Sequence, residues 1–185
     1  MHLHRSNTGR WLRWAAGLAM GLLFGCVGPP EGIRPVTGFD AERYLGQWYE
    51  IARLDHRFER GLTNVTATYS ERDDGGIDVV NRGYDTASGA WKKARGRAYF
   101  TGSEREGSLK VSFFGPFYGG YHVIALDREE YRYALVCGPN RSYLWILARS
   151  PRLERQEIDR LVEAAKSLGF DTDQLIFVPH GDPAS

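Results

Sequence analysis

The 185-residue chain carries 24 Lys and Arg against 23 Asp and Glu, a formal charge of +1, with 42% hydrophobic and 13% aromatic residues. That near balance excludes a global basic field for nucleic acid, and the apolar share suits one sizeable core or barrel. The 22 Gly residues, with turn dipeptides between short apolar runs, favour many short strands.

Residues 1–25 are set aside from the fold. Arg5, Arg10 and Arg13 form a basic start, and Trp14 to Phe24 is an apolar run. At about eleven residues the run is too short to span a bilayer as an ordinary helix. It ends Leu23-Phe24-Gly25-Cys26, which resembles a bacterial lipobox, with Phe24 standing where a small residue is usual. On that resemblance residues 1–25 are a lipoprotein signal peptide and Cys26 becomes the lipidated N-terminus. An ordinary signal peptide with a chance Cys is the other reading. Val27 follows Cys26 where an Asp would signal inner-membrane retention, so the analogy sends the chain to the outer membrane. The second cysteine, Cys137, sits in the apolar run Tyr133 to Cys137 and reads as a small buried residue. A Cys26–Cys137 disulfide is the alternative if the lipobox fails. Residues 26–38 carry three Pro and three Gly and read as a tether.

The folded part is expected over residues 39–180. Asp40 is placed to cap a short helical turn over Ala41 to Tyr44. Tyr44 to Arg53 then begins the first strand. Gly46 leaves room there for a close backbone approach, and Trp48 shares its face, where it can plug one end of a small barrel. Period 2 continues that face through Glu50 and Ala52 and gives Tyr49 and Ile51 to the other. Leu62 to Glu71 sets Val65, Ala67 and Tyr69 against Asn64, Thr66 and Thr68. Asp73-Asp74-Gly75-Gly76 is a hairpin turn, and Ile77, Val79 and Asn81 share a face beyond it. In the fourth strand Ala94, Gly96, Ala98 and Phe100 must look inward, because Lys93, Arg95 and Arg97 need water. Leu109, Val111 and Phe113 alternate with Lys110 and Ser112. Gly119 to Leu126 and Tyr131 to Cys137 form the next hairpin, and Tyr143 to Arg149 completes eight strands. Eight strands leave an interior just wide enough for one small ligand. Ser150-Pro151 predicts a helix start. Ile158, Leu161, Val162, Ala165 and Leu168 predict its buried stripe, packed outside the barrel, and Gly169 its stop. Leu175 to Val178 is expected to add a short ninth strand.

Two stretches carry a family resemblance. Gly46-Gln47-Trp48 opens the first strand, and Trp145-Ile146-Leu147-Ala148-Arg149 ends the last. This pairing resembles the lipocalin family, in which such an Arg lies across the Trp of the first strand. Asp127 to Val136 resembles the family's third conserved region. Residues 39–46 and Phe113 to Tyr121 match most closely the bacterial outer-membrane lipocalin lipoproteins of the apolipoprotein-D-like branch. The resemblance runs from Val36 to Val178. It implies an all-β, eight-stranded antiparallel up-and-down barrel with a C-terminal helix outside. It gives Gly46, Trp48 and Arg149 the role of closing the barrel.

No catalytic signature and no metal spacing appears. His56, His122 and His180 lack Cys or His partners at ligand spacing, and Asp55-His56 reads as a loop at the open end. Tyr69, Asn81 and Trp145 share inward parity and match pocket positions of the apolipoprotein-D-like branch; Phe113 and Tyr121 are further candidates. Aromatic walls with a few polar groups suit an amphiphile. The expected function is therefore non-catalytic binding, with transport or storage, of a fatty acid or lysophospholipid. No cofactor, metal or nucleic acid is expected. The alternatives are an enzyme using Cys137 or Glu50 inside the barrel, and a structural envelope lipoprotein with a filled barrel. The aromatic loop Phe114 to Gly120 suits a guide for acyl chains, a membrane contact or a homodimer patch.

Overall fold

A computed structural model describes residues 27–182. The expected signal peptide, residues 1–25, and Cys26 lie outside the described residues.

Among the described residues, nine strands and two α-helices form a closed sheet with one helix on its outside. The strands are β1 (Gly46–Arg53), β2 (Leu62–Glu71), β3 (Ile77–Asp85), β4 (Ala90–Phe100), β5 (Ser108–Phe114), β6 (Phe117–Leu126), β7 (Tyr133–Cys137), β8 (Leu144–Ala148) and β9 (Ile176–Phe177). Strands β2 to β8 pair in sequence order, β8 pairs β1, and β1 returns to β2, so eight antiparallel strands close the barrel. The base half of β1 faces β2 through Gly46 to Tyr49. Its far half pairs β9 instead, at Ala52 and Arg53. Closure leaves little free edge for another chain to add to.

Two cores result. Inside the barrel, Trp48, Tyr69, Val79, Ala98, Leu109 and Leu147 belong to one cluster. Outside it, Ile51, Leu135, Cys137, Ile146 and Ala148 pack beneath α2 (Arg155–Ser167) through Leu161 and Ala165. The helix stripe read from the sequence is the buried one. Gly169 stops it with φ of +81°, and Phe170 N–H and Gly169 N–H reach back to the carbonyls of Ala165 and Lys166.

The start of α2 differs from the expectation. Ser150 and Pro151 form a bend in which Ser150 Oγ accepts from Arg152 N–H at 3.4 Å, and the helix begins only at Arg155. Leu153 first takes its own place in the outer cluster, so the chain crosses the wall before it can coil. Packing overrides the local capping preference. The seventh strand also starts later than expected. Tyr131 has φ of +58° and belongs to the base turn, where its hydroxyl accepts from Asp40 N–H.

The first strand holds the most consequential difference. A bulge shifts its register between Glu50 and Ala52: Glu50 faces Leu147, whereas Ala52 faces Ile146 and Arg53 faces Trp145. The extra residue, Ile51, reverses parity beyond it. Ala52, expected on the Trp48 face, packs in the outer cluster, and Arg53 points into the barrel.

The base is plugged by α1 (Ala41–Tyr44), capped by Asp40, whose side chain accepts from Arg43 N–H. Trp48 is fully buried and its Nε1 donates to the Tyr44 carbonyl at 2.8 Å. Gly46 has φ of +93°, and a Cβ there would lie 3.3 Å from Arg149 Nη1. The Gly is required by its left-handed backbone and by a neighbouring guanidinium, rather than by a passing backbone.

Candidate ligand site in the barrel

The barrel encloses a cavity of about 100 Å³. Its walls are chiefly aliphatic and small side chains from β2 to β5, and Tyr69, Asn81, Phe113, Tyr121 and Trp145 all line it. Period 2 on each strand puts them there.

At the base, three hydroxyls meet. Tyr121 Oη lies 2.7 Å from Tyr44 Oη and 2.9 Å from Tyr69 Oη. Burial raises the pKa of all three, so they stay neutral donors and acceptors. The Tyr69 hydroxyl is thus engaged with a neighbour at the foot of the cavity. Higher up, Asn81 Oδ1 is buried with no hydrogen-bond partner. An orphan acceptor on an apolar wall is a place for a donor from outside, a ligand hydroxyl or a water.

Below the open end lies a polar cluster. Arg53 Nη1 donates to Glu50 Oε1 at 2.6 Å, and its Nη2 donates to the Glu59 and Leu62 carbonyls at 2.7 and 3.2 Å. Trp145 Nε1 donates to Glu59 Oε2 at 3.1 Å, and His56 Nε2 approaches the same oxygen to 3.0 Å. Glu50 and Glu59 both line the cavity. Burial, and next the adjacent Glu59 charge, push the Glu50 carboxyl well above the usual range, against the pull of Arg53. Burial also works to raise Glu59, but His56 and the Trp145 N–H outweigh it and hold that carboxyl below its ordinary value. The two shifts run in opposite directions, burial favouring the protonated form of Glu50 and the His56 and Trp145 contacts favouring the ionised form of Glu59.

The loop between β1 and β2 hangs on this cluster. Glu59 reaches inward from it to the Trp145 indole, and its backbone is bonded to Arg53 and to Leu62 N–H. The loop thus sets Glu59 in the cavity wall. His56, read as a loop residue at the open end, is there and is buried against Phe58, Tyr143 and Trp145.

Sequence reasoning missed Arg53 and Glu59 as cavity groups. The bulge hides Arg53, because strict alternation sends it outward, and Glu59 stands in a loop that has no period. The available signal was Glu50-x-x-Arg53: opposite charges three apart in an otherwise apolar strand.

The alternative placing Cys137 inside the barrel is corrected by the structure. Its side chain belongs to the outer cluster beneath α2, and burial pushes the thiol up to about 12. Such a thiol carries almost no thiolate at neutral pH. Among the described residues, no group of three or more His, Cys, Asp or Glu is arranged to hold a metal ion.

Comparison with known proteins gives a consistent picture. A lipocalin-like domain family model matches residues 39–180. The chain is 58% identical over 157 residues to the outer membrane lipoprotein Blc of Vibrio cholerae, covering 85% of this chain and 92% of that one. It is 57% identical over 166 residues to the outer membrane lipoprotein Blc of Escherichia coli, with 89% and 93% covered. Apolipoprotein D of Mus musculus is 30% identical over 157 residues, with 81% and 79% covered. Among solved structures, insecticyanin from the tobacco hornworm Manduca sexta has a TM-score of 0.69 at 23% identity, covering 85% of this chain and 89% of that one, which shows the shared fold.

Proposed function

Because the chain belongs to the lipocalin family, we propose that it binds a single-chain amphiphile, a fatty acid or a lysophospholipid, inside its barrel, without catalysis. Its place is the outer membrane, as for its bacterial relatives, and the lipid that holds it there is carried by Cys26. The observation that carries the reading is the apolar-walled lumen with an unpartnered acceptor, Asn81 Oδ1, on its side.

Each CH₂ withdrawn from water into such a lumen contributes about 0.8 kcal/mol before ordering costs. The acyl chain leads into the barrel. The head stays at the mouth, because the largely apolar walls of the lumen offer a charged head few partners. Phe113 and Trp145 flank the chain. Transport or storage of the lipid follows from reversible occupancy near its membrane source.

The size of the void bears on this. At about 100 Å³ it falls short of the roughly 300–1,000 Å³ of ordinary ligand pockets. A bound chain must displace side chains, and Glu59, on the β1–β2 loop, is one of those that line the cavity. The same observation favours a second reading, a filled barrel with a structural role. Native mass spectrometry of protein purified from membranes, together with titration of lysophospholipid against Trp fluorescence, separates the two. Co-purifying lipid and a saturable signal are expected for a binder; neither appears for a filled barrel.

A further inference from the structure

Charge is unevenly spread around the barrel wall. Alternation turns Arg82 of β3, Lys93, Arg95 and Arg97 of β4 and Lys110 of β5 outward, away from the lumen that Asn81, Ala98 and Val111 line. Arg82, Lys93, Arg95 and Arg97 are exposed, and none of these five cations forms an ion pair among the described residues. The outward positions of β2 to β5 hold one carboxylate, Asp78, which Arg72 takes at 2.6 Å.

The arrangement is costly to the fold. Arg82 and Lys93 are direct cross-strand partners. Like charges set opposite each other destabilise a sheet, and no ion pair within the wall relieves them. The column is neutralised only by negative charge brought from outside.

The wall is bare as well as basic. The helix α2 packs on β1, β7 and β8 through Ile51, Leu135 and Ile146. Strand β4 stands four strands from β8 in either direction round the barrel, on the opposite side. Aromatic rings stand among its cations. Arg82 lies over the Trp91 ring at 4.0 Å, Trp91 itself is 44% exposed, and Lys110 Nζ lies 5.1 Å from the centre of the Tyr118 ring. Indole and phenol rings beside Arg and Lys suit the level of lipid headgroups.

The start of the described chain lies at the flank of this wall. A Cβ on Gly120 of β6 would meet the Val27 carbonyl oxygen at 2.7 Å. Gly120 is the cross-strand partner of Lys110, and Lys110 is that of Tyr99 on β4. Cys26 is the next residue along the chain from Val27, so an anchor there joins the protein beside the basic wall. This step rests on the Cys26 anchor proposed above; the charge pattern does not.

We propose that the outward face of β3 to β5 lies on an anionic phospholipid leaflet, with Arg82, Lys93, Arg95 and Arg97 among the headgroup phosphates and Trp91 at their depth. The lipid on Cys26 holds the protein to the membrane, and the basic wall sets which side of it meets the surface. Neither end of the barrel takes part in the contact. A second copy is the weaker occupant, since a two-fold contact through this face sets its cations against themselves.

The test uses the whole mature protein, purified from membranes and reconstituted into vesicles of phosphatidylethanolamine and phosphatidylglycerol, or of phosphatidylcholine alone. Trp91 is read as the difference between the parent and Trp91→Phe. The opposite wall is read by Glu163→Trp, at an exposed position of α2. Phospholipid brominated near the top of its acyl chains should quench Trp91 in the anionic vesicles and leave the Glu163→Trp signal unquenched. The Trp91 quenching should fall several-fold in phosphatidylcholine, at high salt, and in K93E/R95E/R97E. That variant should melt no lower than the parent, since Lys93→Glu gives Arg82 an opposite charge, so its lost quenching is not lost fold. Equal quenching on the two walls, equal quenching of Trp91 in both lipids, or an unchanged signal in the triple variant overturns the proposal. So does an unquenched Trp91 in anionic vesicles, which leaves the wall to an acidic protein. If mass spectrometry finds Cys26 without lipid, the anchor reading fails alone, and the same quenching is read on protein added to preformed vesicles.

Discussion

The Arg149 guanidinium lies 4.0 Å from the centroid of the Trp48 ring and bonds three carbonyls around it, those of Gln47, Arg43 and Tyr131, at 3.0, 2.6 and 3.4 Å. One side chain thus ties the last barrel strand to the first, to the α1 plug and to the base turn. It stands at the opposite end from the mouth. Arg149→Ala should therefore cost about 1–3 kcal/mol of stability and leave lipid affinity within twofold of wild type, about the scatter of such a titration. A denaturant midpoint equal to that of wild type would refute the tie.

The Glu50–Glu59 pair gives a pH signature. Burial, with the Glu59 charge, raises Glu50 in the fold. A raised carboxyl stabilises the fold fully below its unfolded pKa and loses that contribution as pH climbs through the folded value. Glu50→Gln cannot ionise and keeps an acceptor for Arg53 and a donor for Glu59. Its melting temperature should match wild type near pH 4.5 and exceed it increasingly as pH rises. The comparison is a melting series across pH. A difference that stays flat from acid to alkaline solution would remove Glu50 as the proton holder.

Much of this arrangement is written in local pattern. Alternation along β2 to β5 places Val65, Ala67, Tyr69, Val79, Asn81, Ala98 and Phe113 inside, and the helical stripe from Ile158 to Leu168 sits under α2 as its spacing requires. Gly46, Trp48 and Arg149 meet at the base. What alternation does not carry is any break in its own period. The bulge at Ile51 turns Arg53 inward, and the loop that brings Glu59 to Trp145 is fixed by long-range bonds spanning 86 residues. The helix start failed for a related reason, since a Ser-Pro cap is local and the docking of Leu153 is not.

Cys137 should be silent to reagents in the native protein. It is fully buried beneath α2 with its thiol pushed up to about 12. Iodoacetamide at pH 8 should label it only as fast as the protein opens, and rapidly in denaturant. Labelling of the folded protein at the rate of a free thiol would show that α2 does not cover it.

Cys26 should be the membrane anchor. Cys26→Ala removes the thiol that follows Leu23-Phe24-Gly25, and the variant should accumulate unprocessed or appear in the soluble periplasmic fraction. A processed chain that still sediments with outer membranes at high salt, where surface docking is screened, would show that the lipobox is not used.

The last expectation concerns the latch at the top of the lumen. Trp145 Nε1 and His56 Nε2 both address Glu59 Oε2, at 3.1 and 3.0 Å, and Glu59, borne on the β1–β2 loop, lines the cavity. Trp145→Phe keeps an aromatic wall but removes the donor. Glu59 then loses one of the groups that hold its carboxyl ionised and inward. A lost bond to a charged acceptor costs about 1.5–3 kcal/mol, and part of that falls on the closed loop alone. With the proposed lipid entering past this loop, the variant should bind lysophospholipid with a rate constant several-fold to about tenfold higher. The dissociation rate should rise as well, so affinity changes less than either rate. Stopped-flow mixing with a fluorescent lysophospholipid measures both. Glu59→Gln should act in the same direction, because it removes the charge that His56 and Trp145 hold. If both variants associate at the wild-type rate, entry does not pass under this loop and the latch is only a structural support of the wall.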